Sequence, residues 1–324
     1  MSSSPAFFKL SPSEQRAKFL KLSQVCDDHL DEAYGEVVDS EWSISEALKK
    51  ENVSRNRYSN VFPWDKTRVV LPILPGAKSD YINASRIRLS ETREYIAAQG
   101  PLVNTIPHFW AMAFHEAELQ KSDTIVIAMM TPLEEGGREK CSRYWPSDSC
   151  TTWDFTEALR SDGISPGSLS ITLKSREIIH DGDLIFSQFI LESPTTRKNV
   201  LHYYFQKWED AKVPDSMDPI ISLSREIEKQ KLKTPRIAPI VHCSAGVGRT
   251  GTFIAIDYML HEWVCNYPKF NDPVCDIVAR LRSDRMMMVQ TVYQFMFLYC
   301  VAKRIYEEMD KSSNREKSCR NPQE

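Results

Sequence analysis

Short apolar runs in this chain alternate with longer stretches in which apolar residues return every three or four positions, a pattern that builds a sheet covered by helices. Strands are expected at Tyr95–Ala98, Thr124–Met129, Leu169–Ile179, Leu184–Leu191, Val200–Phe205 and Ile237–His242. Helices are expected at Pro107–Leu119, Met217–Lys231, Thr250–Val264, Pro273–Arg282 and Thr291–Met309. No repeat and no long Gly/Ser or Pro linker divides the chain, so residues 16–310 are expected to form one α/β domain of the α+β type. Its centre is a highly twisted mixed sheet flanked by helices. Met1–Gln15, rich in Ser and Pro, reads as a loosely held arm, and the polar residues 311–324 as a disordered tail.

The chemistry concentrates where the last expected strand meets a helix. After Ile237–Val241 come His242, Cys243, Ser244, Ala245, Gly246, Val247, Gly248, Arg249, Thr250 and Gly251, and then Phe253, Ile256, Leu260 and Trp263 fall on one helical face. A loop that curls into a helix N-terminus presents unpaired N–H groups and the positive end of the helix dipole, both of which attract an anion. Its glycines let the backbone turn sharply and come close to phosphate oxygens. Arg249 adds a permanently charged planar fork. A thiol here is expected to ionise readily, since helix N-termini and cations bring cysteine from about 8.5 down to roughly 3.5–7.5. Thr250 is placed to donate to the sulfur and ease its departure. Gly246, Gly248 and Gly251 also satisfy GxGxxG, but the acidic Asp272 sits in Asn271-Asp272-Pro273, a helix start rather than the end of a second parallel strand. A buried structural cysteine is the other bland reading. Neither accounts for His242, Cys243 and Arg249 together.

His242–Gly251 resembles the HCxxGxGR(S/T)G signature of the protein tyrosine phosphatases. Asn56-Arg57-Tyr58, Asp80–Ser85, Gln99-Gly100-Pro101, Phe109-Trp110, Lys140-Cys141 with Tyr144-Trp145-Pro146, and Gln290-Thr291 with Gln294 follow the order of the phosphotyrosine-specific branch. The likeness runs from about Arg16 to Asp310 and is similar to short cytosolic non-receptor members, fungal ones among them. It implies hydrolysis of phosphotyrosine in proteins by Cys243, without metal or cofactor. Arg249 and the loop Ser244, Ala245, Gly246, Val247 and Gly248 would bind phosphate, with His242 supporting the loop. Asp210, after Trp208, would be the general acid, Asp215 and Asp218 being fallbacks more suited to capping the next helix. Gln290 would orient water, with Gln294 a turn away. Tyr58 would pack on the phenol ring and Asn60 would face the peptide backbone. Lys140 would meet the closed acid loop, and Glu135 would steady Arg249. Glu209 departs from the family's loop proline, and Ala211-Lys212 from its Phe-Gly. A looser loop and a raised Asp210 pKa are therefore expected. Met286–Met288 reads as core packing, with Met287 narrowing the pocket rim. A dual-specificity or lipid phosphatase, or a non-catalytic phosphotyrosine-binding module, are the alternatives.

A formal net charge of −3 argues against a general nucleic-acid binder. Apolar runs such as Ile125–Met130 are too short to span a bilayer, and no secretory signal opens the chain. The eight cysteines show no CxxC pairing or zinc-like spacing. A monomer in the reducing cytoplasm is expected, the nucleus being the other possible site. As an exposed thiolate, Cys243 is also expected to be open to reversible oxidation.

Overall fold

A computed structural model of the protein describes residues 5–35, 40–148, 150–179, 182–234, 236–263 and 272–320. Along the chain run α1 (Pro12–Tyr34), α2 (Ser45–Leu48), β1 (Arg68–Val70), β2 (Tyr81–Arg88), β3 (Glu94–Ala98), α3 (Ile106–Leu119) and β4 (Thr124–Met129). A small hairpin of β5 (Glu134–Glu135) and β6 (Arg138–Glu139) follows, then β7 (Thr152–Asp154), α4 (Thr156–Asp162), β8 (Ser170–Ile179), β9 (Leu184–Glu192) and β10 (Arg197–Phe205). The last elements are α5 (Asp218–Lys233), β11 (Ile240–His242), α6 (Gly248–Tyr258), α7 (Pro273–Asp284) and α8 (Val292–Arg320).

Nine strands join in the order β1-β2-β3-β11-β4-β10-β9-β8-β7. The middle is parallel, β11 pairing with β3 and β4, and β4 with β10; the flanks are antiparallel. Strand β4 shows why its sequence is apolar throughout. Val126 and Ala128 enter one core with helices α5 to α8, while Ile125, Ile127 and Met129 enter the other, beside α3 and α4. Ile240 and Val241 of β11 divide the same way, so the strand that delivers Cys243 is clamped on both faces.

Several boundaries differ from expectation for physical reasons. Pairing of β11 starts only at Ile240 because Pro239 has no N–H, although its carbonyl accepts from Ile96 at 3.0 Å. The helix after the signature ends at Tyr258 and passes into a π-turn over Met259–Trp263, and the expected end at Val264 lies outside the described residues. Within the expected arm, Phe7 is buried and meets Trp263 edge-on at 5.9 Å between ring centroids. Ser11 then caps α1 in a reciprocal pair with Glu14. At the other end the last helix runs on to Arg320, with neither Gly nor Pro to interrupt it. Among the described residues no helix is long and apolar enough to cross a membrane.

Candidate active site

Gly246 adopts φ 74, and a Cβ there would lie 2.2 Å from the carbonyl oxygen of Ala98, so only glycine lets the loop fold down onto β3. The chain then enters α6, and Gly251 passes so close to the N–H of Val289 that a Cβ would stand 2.6 Å from it. This folding places the Cys243 sulfur at the floor of a cavity of about 240 Å³, with only 3% of the residue exposed. The thiol is thus more sheltered than the open thiolate the sequence suggested. Burial pushes its pKa up, but the Arg249 charge, the Thr250 hydroxyl and the N–H groups of Thr250 and Gly246 overcome that, and the balance falls below the ordinary thiol value. Thr250 Oγ1 is buried and meets no nitrogen or oxygen partner among the described residues, and its hydroxyl is one of the groups that hold the sulfur's pKa down.

His242 braces the loop from beneath. Its Nδ1 lies 3.2 Å from the Cys243 carbonyl, which can only accept, so Nδ1 carries the hydrogen. Burial holds the ring neutral, with the pKa down at about 4. Nε2 must then accept from Tyr144 Oη at 2.7 Å, and Tyr144 in turn accepts from His202 Nε2 at 2.7 Å.

Opposite the sulfur stands the loop Trp208–Pro214. Trp208 is fully buried; its Nε1 donates to the Lys212 carbonyl at 2.9 Å and its own carbonyl accepts from Arg249 Nη1 at 2.6 Å. Asp210 is gripped on both oxygens, by Lys140 Nζ at 2.6 Å and by Arg249 Nη2 at 3.3 Å. Its N–H donates to Glu135 Oε1 at 2.6 Å, while Glu135 Oε2 ion-pairs with Arg249 at 3.5 Å. Glu135 therefore ties the acid loop to the arginine. One expectation for this loop is corrected. Glu209 does not raise the Asp210 pKa: it pairs outward with Lys212. Burial raises Asp210, but the Lys140 hydrogen bond and the Arg249 charge outweigh it, so the carboxyl lies below its usual range.

The cavity brings together Tyr58, Asn60, Val61, Lys140, Asp210, Cys243, Ser244, Ala245, Gly248, Arg249 and Gln290. Ser244 spends its single hydroxyl hydrogen on the Lys140 carbonyl at 2.7 Å, so Tyr58 Oη donates to Ser244 Oγ at 2.7 Å and stands upright at the wall. Of the other residues expected to bind substrate, Gly246 directs its N–H at the Cys243 sulfur. Gly246 and Val247 do not line the cavity; the Val247 carbonyl is occupied by the N–H groups of Gly251 and Val289. Gln294 is buried, its Oε1 accepting from Gln290 and Thr291 N–H groups behind Gly248. Asp215 and Asp218 are absent from the cavity, and Asp218 does not cap α5 but pairs with Arg304 at 2.6 Å.

Arg285 went unnoticed in the sequence. Fully buried, it donates from Nε to the Gly246 carbonyl at 2.9 Å and from Nη2 to the Ala245 carbonyl at 3.0 Å; Asn83 Oδ1 and Ser85 Oγ receive its remaining bonds at 2.7 and 3.1 Å. Burial pushes its pKa down to about 10, against the opposing pull of Tyr81 and Cys243. The available signal was a charge set between the apolar face of α7 and the buried Met286. Met286 and Met288 are buried, and Met287 is partly so without lining the cavity.

Residues 52–304 match the family described as Protein-tyrosine phosphatase. The chain is 35% identical to Tyrosine-protein phosphatase 1 of Saccharomyces cerevisiae, over 94% of this chain and 97% of that one. It is 37% identical to human Tyrosine-protein phosphatase non-receptor type 5, over 79% of this chain but 42% of that longer protein. A solved structure of PTPN18 in complex with HER2-pY1248 phosphor-peptides superposes with a TM-score of 0.75 at 27% identity, covering 90% of this chain and 99% of that one. With a matched segment spanning most of its length and a relative similar from end to end, this chain belongs to the protein-tyrosine phosphatase family.

Proposed function

We propose that the protein hydrolyses phosphotyrosine in proteins through a cysteinyl-phosphate intermediate. The observation that carries this reading is the Cys243 sulfur at the floor of an open cavity, beside Arg249 and facing the Asp210 carboxylate. A phosphate dianion entering the cavity takes over Arg249 and puts like charge beside Asp210, which raises the carboxyl's pKa and loads it with a proton. The thiolate then attacks phosphorus. As the bond from phosphorus to the phenolic oxygen breaks, its electron pair goes to that oxygen, which takes the Asp210 proton. Water oriented by Gln290 attacks the cysteinyl phosphate, Asp210 accepts the water's proton, and the sulfur leaves as thiolate. Arg249 and the loop N–H groups stabilise the transferring oxygens throughout.

Tyr58 and Asn60 at the wall favour an aromatic ester, because a phosphoserine is too short to reach the floor past a side chain of that height. The PTPN18 complexes with HER2 phosphor-peptides are in keeping with such a substrate. Asn60 accepts peptide N–H groups without a charge, which lowers the bias toward particular sequences. Turnover of a phosphotyrosine peptide, a phosphoserine peptide and a phosphoinositide tests the reading. Only the first is expected to be hydrolysed efficiently, with loss of at least about 10⁴-fold in Cys243→Ser. Equal rates on phosphoserine or phosphoinositide would favour a dual-specificity or lipid phosphatase. Binding of the phosphotyrosine peptide without turnover would favour the binding module.

A further inference from the structure

Thr291, the residue before α8, stands between the groups proposed for the two chemical steps. Its hydroxyl donates to the Ala211 carbonyl in the acid loop at 3.3 Å and accepts the Gln294 N–H at 3.2 Å. One hydrogen and two lone pairs allow both bonds at once. Gln294 returns the contact, its Oε1 accepting from Thr291 N–H at 3.2 Å and Gln290 N–H at 3.0 Å. This is a capping box, and it fixes the backbone of Gln290, whose side chain lines the cavity. On the other side, Ala211 holds φ 57, a left-handed conformation unfavourable to any residue with a Cβ. It is the third residue of a tight turn in which Lys212 N–H donates to the Glu209 carbonyl at 3.4 Å. The turn that presents Asp210 closes against local strain, and contacts from outside it hold it shut. Thr291 supplies the contact to Ala211 itself.

We propose that Thr291 is a positioning residue that latches the acid loop and, through the same hydroxyl, couples its closure to the placement of Gln290. The proposal rests on the reading of Asp210 as acid and Gln290 as the water-orienting group. When the loop closes for the first step, the hydroxyl that receives it is the one that anchors the helix start holding Gln290 for the second.

A series of aryl phosphates with phenols of rising pKa tests the latch. Thr291→Val keeps the side-chain shape and removes the hydroxyl. Its kcat/KM on phenyl phosphate is expected to fall about tenfold, the worth of one hydrogen bond. On dinitrophenyl phosphate, whose leaving group needs little protonation, the change should stay within about twofold. Thr291→Ser, which keeps the hydroxyl, should restore the wild-type dependence on leaving group. In the double variant Asp210→Asn, Thr291→Val, phenyl phosphate should be turned over no more slowly than by Asp210→Asn alone, because a latch has nothing to hold once the proton is gone. An equal loss on all esters, or losses that add in the double variant, would mean that Thr291 only caps a helix and would overturn the proposal. If Asp210→Asn steepens the leaving-group dependence and Thr291→Val does not, the latch fails and the proposed function stands. If Asp210→Asn leaves the dependence flat, the acid assignment fails and takes the latch with it.

Discussion

From Cys243 to Gly251 every residue but Ala245 is buried, whereas Glu209 to Lys212 in the facing loop are all exposed. The two segments meet at Arg249, which reaches the Trp208 carbonyl and the Asp210 carboxylate. Their supports differ in kind. The phosphate loop is held through its backbone, by Arg285 on the carbonyls of Ala245 and Gly246 and by Val289 on the carbonyl of Val247. The acid loop is held largely through charged side chains, Lys140 and Arg249 on Asp210 and Lys212 on Glu209. In the proposed reaction, backbone clamps in a dry interior would keep the anion site preorganised. Asp210 keeps 47% of its side chain exposed, and ion pairs that open to solvent exchange with water more readily than backbone clamps in a dry interior.

The contrast breaks hardest at Arg285. Arg285→Met removes the donor to four acceptors, the carbonyls of Ala245 and Gly246 and the side chains of Asn83 and Ser85, and leaves them buried. About 3–5 kcal/mol of stability should be lost, read as a lower denaturant midpoint at unchanged slope. Lys140→Met, which unties the acid loop, should cost less than about 1 kcal/mol by the same measurement. Equal losses in the two variants would erase the distinction between the loops.

A sharper and smaller test lies inside the phosphate loop. Because Cys243 is held below the ordinary thiol pKa, neutral alkylating reagents should modify it at pH values where a free thiol is protonated. Thr250→Val removes one donor to the sulfur, so the inflection of the alkylation rate should move up in pH. At a pH below both inflections the rate should fall roughly tenfold. Stability should follow the same titration. A depressed folded-state pKa contributes stability that is fully present above the unfolded thiol value of 9.0 and is lost as pH falls through the folded value. The Thr250→Val variant should therefore lose stability relative to wild type at alkaline pH and converge on it as pH drops. An unchanged alkylation profile would show that the hydroxyl does not reach the sulfur.

The same contrast explains what could be read from the residues. The central strands and the anion-binding turn are written in local terms: continuous apolar runs for β4 and β11, and a glycine that only a left-handed turn requires at Gly246. Strand β2 escaped the hydrophobic pattern because its buried positions include Asn83 and Ser85, polar residues kept there to receive Arg285. Arg285 escaped because its partners lie between 39 and 202 positions away in the chain, a pairing that no local periodicity encodes. Helix α1 was legible and missed: Ser11-Pro12-Ser13-Glu14 carries the capping-box spacing with proline in the first turn. In the acid loop the residue identities were plain, but the downward pull on Asp210 comes from Lys140 and Arg249, which approach from other elements, whereas the sequence neighbour Glu209 turns outward.

The smallest expected effect belongs to Glu209, where the family's proline is replaced. Glu209 and Lys212 pair across the turn with 67% of each side chain exposed, and pairs so open to solvent contribute about 0–1 kcal/mol. Asp210, by contrast, is fixed by groups outside the turn: its N–H by Glu135 and its oxygens by Lys140 and Arg249. If those contacts set the position of the acid, Glu209→Gln should change kcat on a phosphotyrosine peptide by less than about threefold. The residual effect should shrink further at 1 M salt, where the screening length falls to about 3 Å. A loss above about tenfold that persists at high salt would mean that the carboxylate at 209 supports the turn by more than its surface pair. The acid loop would then resemble the phosphate loop in depending on a specific internal contact, and the division between a clamped half and an exchangeable half of the site would not hold.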